Sequence, residues 1–266
     1  MPQREPMSPK FWDAHCHLAD PRLAARLEAS VARARSLGLE VWVQGGVSPE
    51  DWDRQDALAA RLGPASVRRA YGLHPGWVDE ATDEAADEAL ARLEQRLATA
   101  DASIALGELG LDRGPRHGLT PEAIIRQERA FAAQLELARR NPRPLVLHVV
   151  RAHGRALEIL GTYGPYPRGG LVHYFSGSAE VALQYIRLGF MISVGGIAQH
   201  EGFTQVKEAL SRLPLEWIAV ETDAPDHGCE LDSLPAIAEG LAPYWGLTAG
   251  ELLEKSTANL KRVFEI

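Results

Sequence analysis

Two histidines one residue apart, His15 and His17 in "FWDAHCHLAD", close a short apolar run. Side chains alternate along a strand, so both imidazoles point one way and Cys16 the other. Such a pair offers two nitrogens to one metal ion, although alone it also reads as a surface pair near a turn. Similar groups follow other apolar runs: Glu108 and Asp112 in "GELGLD" after "SIAL", His148 after "RPLVL", His173 after "GGLV" and Asp223 after "WIAVET". Each alone has an ordinary role, as a solvated acid, a backbone-bonded histidine or a helix cap. Packing gives no reason for the four histidines and the acids Glu108 and Asp223 to recur there, and together they point to a metal centre.

Six ligands, His15, His17, Glu108, His148, His173 and Asp223, exceed the roughly four of a tetrahedral zinc. Two divalent ions sharing a bridging group fit better. Ion pairs about 3.5–4 Å apart stabilise the attacking and leaving oxygens of a displacement, which suits hydrolysis of phosphate esters and amides. Mixed nitrogen and oxygen ligands admit Zn, Mn, Fe or, with weaker histidine preference, Mg.

These residues need elements to position them. Eight short apolar runs, "KFWDAH", "LEVWVQGG", "VRRAYGLHP", "SIALGELG", "RPLVLHVV", "GGLVHYFSG", "GFMISVGG" and "EWIAVETDAP", alternate with amphipathic segments. That is the pattern of β-α units on a parallel sheet. Helical stripes are Leu23, Leu27, Val31, Ala34, Leu37; Leu90, Leu93, Leu97; Ile124, Phe131, Leu135, Ala138; Val181, Tyr185, Leu188; and Val206, Leu210, Leu213. Asp20 before Pro21 reads as a helix start, and Thr248 with Glu251 as a capping box opening a helix from about Ala249 to Phe264. Eight units close most simply as a TIM (β/α)8 barrel, although an open doubly wound sheet would hold them too. Polar groups at strand ends favour the barrel, with residues 1–266 as one domain.

Composition narrows the classes. The chain is 45% hydrophobic and 24% charged, ordinary for a globular enzyme and unlike a disordered chain. It has no apolar stretch long enough for a membrane span and its start lacks a signal-peptide core, so the expectation is a cytoplasmic protein. Its two cysteines, Cys16 and Cys229, are then expected as reduced thiols, with Cys16 on the packing face of its strand. A net charge of -8 argues against a broad grip on nucleic acid, yet allows contact with one terminus or nucleotide beside bound cations.

The motifs "DAHCHL", "GLHP", "LGELGLD", "RQERAFAAQLELARR" followed by "PLVLH", "VHYFSGS" and "VETDAP" resemble, in order and spacing, the TatD family of metal-dependent hydrolases. The likeness runs from about Trp12 to Phe264. It implies a TIM barrel of the amidohydrolase type, a divalent-metal centre and, in several members, deoxyribonuclease activity. It also implies roles: His15 and His17 on the first ion, Glu108 as bridge, His148 and His173 on the second, and Asp223 as ligand and proton acceptor. His74 resembles a pocket position able to bond a phosphate oxygen, with a satisfied turn histidine before Pro75 as the alternative. Asp112 is a candidate for orienting a ligand histidine, its alternative being a loop cap. Much of the family has an arginine two residues after the fifth-strand histidine; here Val150 stands there and Arg151 follows, so Arg151 is the candidate phosphate contact. His153 is expected at the surface.

The expected reaction is metal-dependent phosphodiester hydrolysis, at the ends of DNA or on short strands, by a monomer. The same site acting on a carbonyl, as an amidohydrolase or a D-aminoacyl-tRNA deacylase, is the runner-up. A non-catalytic metal-binding barrel would predict a broken ligand set, and this set is intact.

Overall fold

A computed structural model describes residues 10–115, 120–199 and 204–265. The strands are β1 (Phe11–Cys16), β2 (Leu39–Gln44), β3 (Val67–Arg68), β4 (Ala70–Tyr71), β5 (Ala105–Asp112), β6 (Leu145–Val150), β7 (Gly170–Val172), β8 (Phe190–Val194) and β9 (Ile218–Val220). All pairings are parallel, in the orders β1-β2-β3 and β4-β5-β6-β7-β8-β9. The run "VRRAYGLHP" supplies both β3 and β4, separated by Arg69, whose carbonyl accepts from Ala105. The two ladders are therefore halves of one eight-strand series broken within its third strand.

Helices α1 (Leu27–Ser36), α2 (Pro49–Leu62), α3 (Pro75–Glu80), α4 (Asp83–Thr99), α5 (Pro121–Arg140), α6 (His153–Tyr163), α7 (Ala179–Arg187), α8 (Thr204–Leu210), α9 (Leu234–Leu241) and α10 (Ala249–Phe264) accompany the strands. Their apolar faces join the outer faces of the strands in one core, including Leu93, Leu97, Phe131, Leu135, Tyr185 and Leu210. A second cluster takes one or two residues from each strand of the series, among them Trp12, Ala14, Val41, Val43, Ala70, Ala105, Val146, Leu171, Met191 and Ala219. These residues fill the barrel interior.

The seam between β9 and β1 has no ladder, and two devices hold it. At the carboxyl ends, Asp223 N–H donates to the His15 carbonyl at 3.0 Å and His17 N–H to the Ala224 carbonyl at 2.8 Å. Further along the seam α10 takes over: Thr257 Oγ1 accepts from Trp12 N–H at 3.0 Å and Ser256 Oγ from Val220 N–H at 2.9 Å. Buried backbone donors left unpaired would cost about 1–3 kcal/mol each, so these hydroxyls make the seam tolerable. The Thr248/Glu251 capping box starts α10 as expected.

Three expectations need correction. Pro21 opens only a short 3-10 turn, capped by Asp20, and the α-helix begins at Leu27. Leu37, expected in that stripe, is exposed because the helix ends at Ser36. His153 is not a surface residue: its ring lies against Phe175 and Tyr185, and its Nδ1 is 3.2 Å from the Tyr185 hydroxyl. Both cysteines are free thiols, Cys16 buried in the outer core and Cys229 half-buried. No helix among the described residues is long and apolar enough to cross a membrane.

Candidate metal centre

Glu108 stands at the middle of the site because its stretch of β5 is held by two backbone bonds to Gly46. Its N–H donates to the Gly46 carbonyl at 2.9 Å, while Gly46 N–H donates to the Gly107 carbonyl at 2.9 Å. The carboxylate, almost fully buried, faces two groups of histidines. Oε2 lies 3.4 Å from His15 Nε2 and 3.5 Å from His17 Nε2. Oε1 lies 2.8 Å from His148 Nδ1 and 2.6 Å from His173 Nε2.

Asp223 completes the first group. Its Oδ1 is 3.6 Å from His15 Nε2 and 3.5 Å from His17 Nε2. The two histidine nitrogens are 3.3 Å apart, as the His-x-His alternation requires. All six sequence-predicted ligands thus converge at the carboxyl ends of β1, β5, β6, β7 and β9.

Burial would raise the Glu108 carboxyl, but the surrounding histidines, His173 and His15 foremost, hold it well below the usual carboxylate range. Asp223 behaves likewise: burial opposes ionisation, while His17 and His227 outweigh it and lower its pKa. Both acids therefore face the centre as anions. Glu108 Oε2 and Asp223 Oδ1 are buried without any hydrogen-bond donor, an arrangement that costs several kcal/mol unless a cation satisfies them. Gly45 lines the same space, where a Cβ would sit 2.4 Å from Glu108 Oε2 and 2.6 Å from His15 Cε1. Orphaned anionic oxygens, converging imidazoles and a glycine wall fit divalent cations.

His148 and His74 differ in which nitrogen they present. His148 Nε2 is 3.3 Å from Asp112 Oδ2, which leaves Nδ1 toward Glu108 and His173. Burial would lower the His148 pKa, but Asp112 and Glu108 raise it to about 9. His74 caps α3: its Nδ1 accepts from Gly76 N–H at 2.9 Å. A neutral imidazole whose Nδ1 accepts must carry its proton on Nε2. Burial lowers the His74 pKa to about 3, so it stays neutral, with Nε2–H 3.2 Å from His148 Nδ1 and 3.7 Å from Glu108 Oε1. His74 is thus a hydrogen-bond donor at the edge of the cluster. Arg151 follows β6 with φ +51°, exposed and without an ion pair among the described residues, so nothing brings it into the cluster.

Several supporting residues escape the sequence reading. Asp13, fully buried, accepts from Thr222 N–H at 3.0 Å and from the Thr222 hydroxyl at 2.6 Å, fastening β1 to the Asp223 turn. Burial pushes its carboxyl up to about 7. Glu221 accepts from Ser193 Oγ at 2.6 Å and from Tyr174 N–H, steadying the turn after His173. On α5, Gln127 Oε1 accepts from Asp112 N–H and Gln134 Oε1 from Leu73 N–H, each at 2.8 Å. They set the positions of Asp112 and of His74, the residue after Leu73. The only signal for them in the sequence is polarity inside an otherwise apolar face or strand.

Fold and centre together define a metal-dependent hydrolase on a parallel α/β barrel. Residues 12–265 match the family model described as TatD related DNase. The chain belongs to this family. An Escherichia coli K12 protein named as the metal-dependent hydrolase YjjV is 35% identical over 217 residues, 82% of this chain and 80% of that protein. The solved structure of the E. coli TatD homolog YjjV superposes with a TM-score of 0.85 at 30% identity, covering 96% of this chain and 98% of that one. The Dickeya dadantii protein named 3'-5' ssDNA/RNA exonuclease TatD is 29% identical over 271 residues, 96% of this chain and 97% of that one.

Proposed function

We propose that this chain is a phosphodiesterase, a deoxyribonuclease acting at the ends of single-stranded DNA or on short strands, with two divalent ions, Zn, Mn, Mg or Fe. The observation carrying this reading is the division of Glu108, Oε2 toward His15 and His17 and Oε1 toward His148 and His173. The name of the Dickeya relative supports the substrate class. His15, His17 and Asp223 would hold one ion, His148 and His173 the other, and Glu108 both. Two such ions supply charge for a phosphoryl oxygen and acidify water.

The protein's own groups then have distinct tasks. Asp223, anionic and turned into the centre, takes a proton from the water that attacks phosphorus. His74 Nε2–H donates to a non-bridging phosphate oxygen, and Arg151, exposed just after β6 and outside the cluster, is the candidate for a neighbouring phosphate. Asp112 holds His148 in its tautomer. With a net charge of -8 the chain grips only a terminus, so it releases long DNA between cuts. We read residues 1–266 as one catalytic domain of a cytoplasmic monomer.

The test is cleavage of an end-labelled single-stranded DNA by metal-stripped protein reloaded with Mg, Mn or Zn, beside Asp223→Asn. Metal-dependent release of nucleotides that is lost in the variant is expected. DNA intact under every metal, while a D-aminoacyl ester is cleaved, would move the chemistry from phosphorus to a carbonyl.

A further inference from the structure

Beside Asp223 opens a cavity of about 420 Å³, between the turn after β8 and the start of α9. Its wall includes Tyr174 and His227, stacked at 4.1 Å between ring centroids with 8° between planes. Both residues have left-handed backbones, φ +44° and +55°, a conformation costing a non-glycine residue about 1 kcal/mol or more. Packing of two side chains alone gives little reason to retain two such costs side by side. His227 Nε2 also lies 3.4 Å from Asp223 Oδ2, on the side of that carboxylate away from His15 and His17. The ring pair thus runs from the reacting centre into the cavity.

The rest of the lining is polar on one side and apolar on the other. Gln199 donates its amide nitrogen to the carbonyls of Ala236 and Ile237, which leaves its amide oxygen as an acceptor. Ser233 Oγ accepts from Glu230 N–H, which leaves its hydroxyl proton to donate. A planar platform, one acceptor, one donor and a volume within the range of small-molecule sites match a flat heterocycle with a hydrogen-bonding edge. We propose that this cavity seats the base of the terminal nucleotide, stacked on the Tyr174–His227 pair, while its phosphate meets the metal centre. The proposal rests on the phosphodiesterase reading and adds the element that recognises the nucleoside.

Two measurements test it, one independent of catalysis. Cys229 lines the cavity whereas Cys16 is fully buried, so iodoacetamide reports on the cavity through Cys229 in metal-free protein. A nucleoside should slow that alkylation, free ribose should not, and Ala236→Phe, which fills the cavity from an exposed helix position, should abolish the protection. In the loaded enzyme, a single-stranded DNA ending in a normal nucleotide should be cleaved with kcat/KM about tenfold above one ending in an abasic residue, the scale of one stacked base. Tyr174→Asn, which tolerates the left-handed backbone, should bring that ratio toward one. Protection without any phosphodiester cleavage would overturn the reaction reading and keep a nucleoside site. Absence of protection, or equal cleavage of both ends by the wild-type enzyme, would overturn the proposal.

Discussion

Asp112 Oδ2 sits 3.3 Å from His148 Nε2 on the side of the ring away from Glu108. One carboxylate thereby settles which nitrogen of His148 faces the centre. Asp112 is itself held by Gln127 of α5 through its backbone N–H, and its Oδ1 accepts from Gly114 N–H at 2.6 Å. Carboxylates behind metal-ligating histidines fix the ring and raise its basicity, and losing them costs about 10- to 100-fold in metal affinity. On the two-ion reading proposed above, Asp112→Asn should lower by that factor the affinity of the ion assigned to His148 and His173, measured by competition with a chelator, with an unchanged far-ultraviolet circular dichroism spectrum. Affinity equal to wild type would remove Asp112 from the support of His148.

Gly45 tests the dimensions of the centre without replacing any of the candidate ligands. A methyl group at this position would fall 2.4 Å from Glu108 Oε2, 2.6 Å from His15 Cε1 and 2.8 Å from His17 Cε1. None can retreat easily, since Glu108 and His15 are buried and the backbone of Glu108 is bonded to the neighbouring Gly46. Gly45→Ala should therefore cost about 1–3 kcal/mol of stability, the range of core overpacking. It should also reduce the ions bound per chain from two toward one, read by atomic emission after dialysis. Two ions retained with unchanged melting would mean that the ligand cluster is looser than its distances state.

Much of this candidate centre is legible in the chain because its residues obey local rules. His15, His17, Glu108, His148, His173 and Asp223 each end an apolar run, and barrel topology brings strand ends together. Asp13 and Glu221 are not legible that way, because their partners are distant in the chain: Thr222 lies across the seam in the turn after β9, and Ser193 on β8 beside it. Gln127 and Gln134 are hidden by the stripe of Phe131, Leu135 and Ala138, since periodicity registers apolar residues and passes over buried amides. Spacing from His148 also says nothing of where Arg151 goes, because its left-handed backbone is a tertiary outcome. His153 follows the same logic, its ring neighbours Phe175 and Tyr185 coming from the next β-α unit.

His74 joins two functions that substitution can separate. Its Nδ1 caps α3 and its Nε2 reaches the cluster. His74→Ala should lose both, costing about 1 kcal/mol for the missing cap. His74→Asn keeps a side-chain oxygen for Gly76 N–H but lacks the distant donor. It should melt close to wild type while kcat/KM on a phosphodiester falls about tenfold, one hydrogen bond's share. Equal activity in His74→Asn and wild type would return His74 to a purely structural role.

His153 gives a pH signature away from the metal ligands. Burial lowers its pKa from 6.5 to about 4, and its Nε2 has no hydrogen-bond partner to stabilise a second proton. The unfolded chain therefore binds this proton at a higher pH than the folded chain does. His153's contribution to stability is fully present above pH 6.5 and is lost progressively as pH falls toward 4, where the folded ring also protonates. His153→Gln keeps a polar partner for the Tyr185 hydroxyl and does not titrate. Urea unfolding at several pH values between 6.5 and 4 should show the wild type losing stability faster than the variant on acidification. Parallel curves across that window would mean that the folded ring accepts its proton as readily as the unfolded one, and that the Phe175 and Tyr185 packing does not desolvate it.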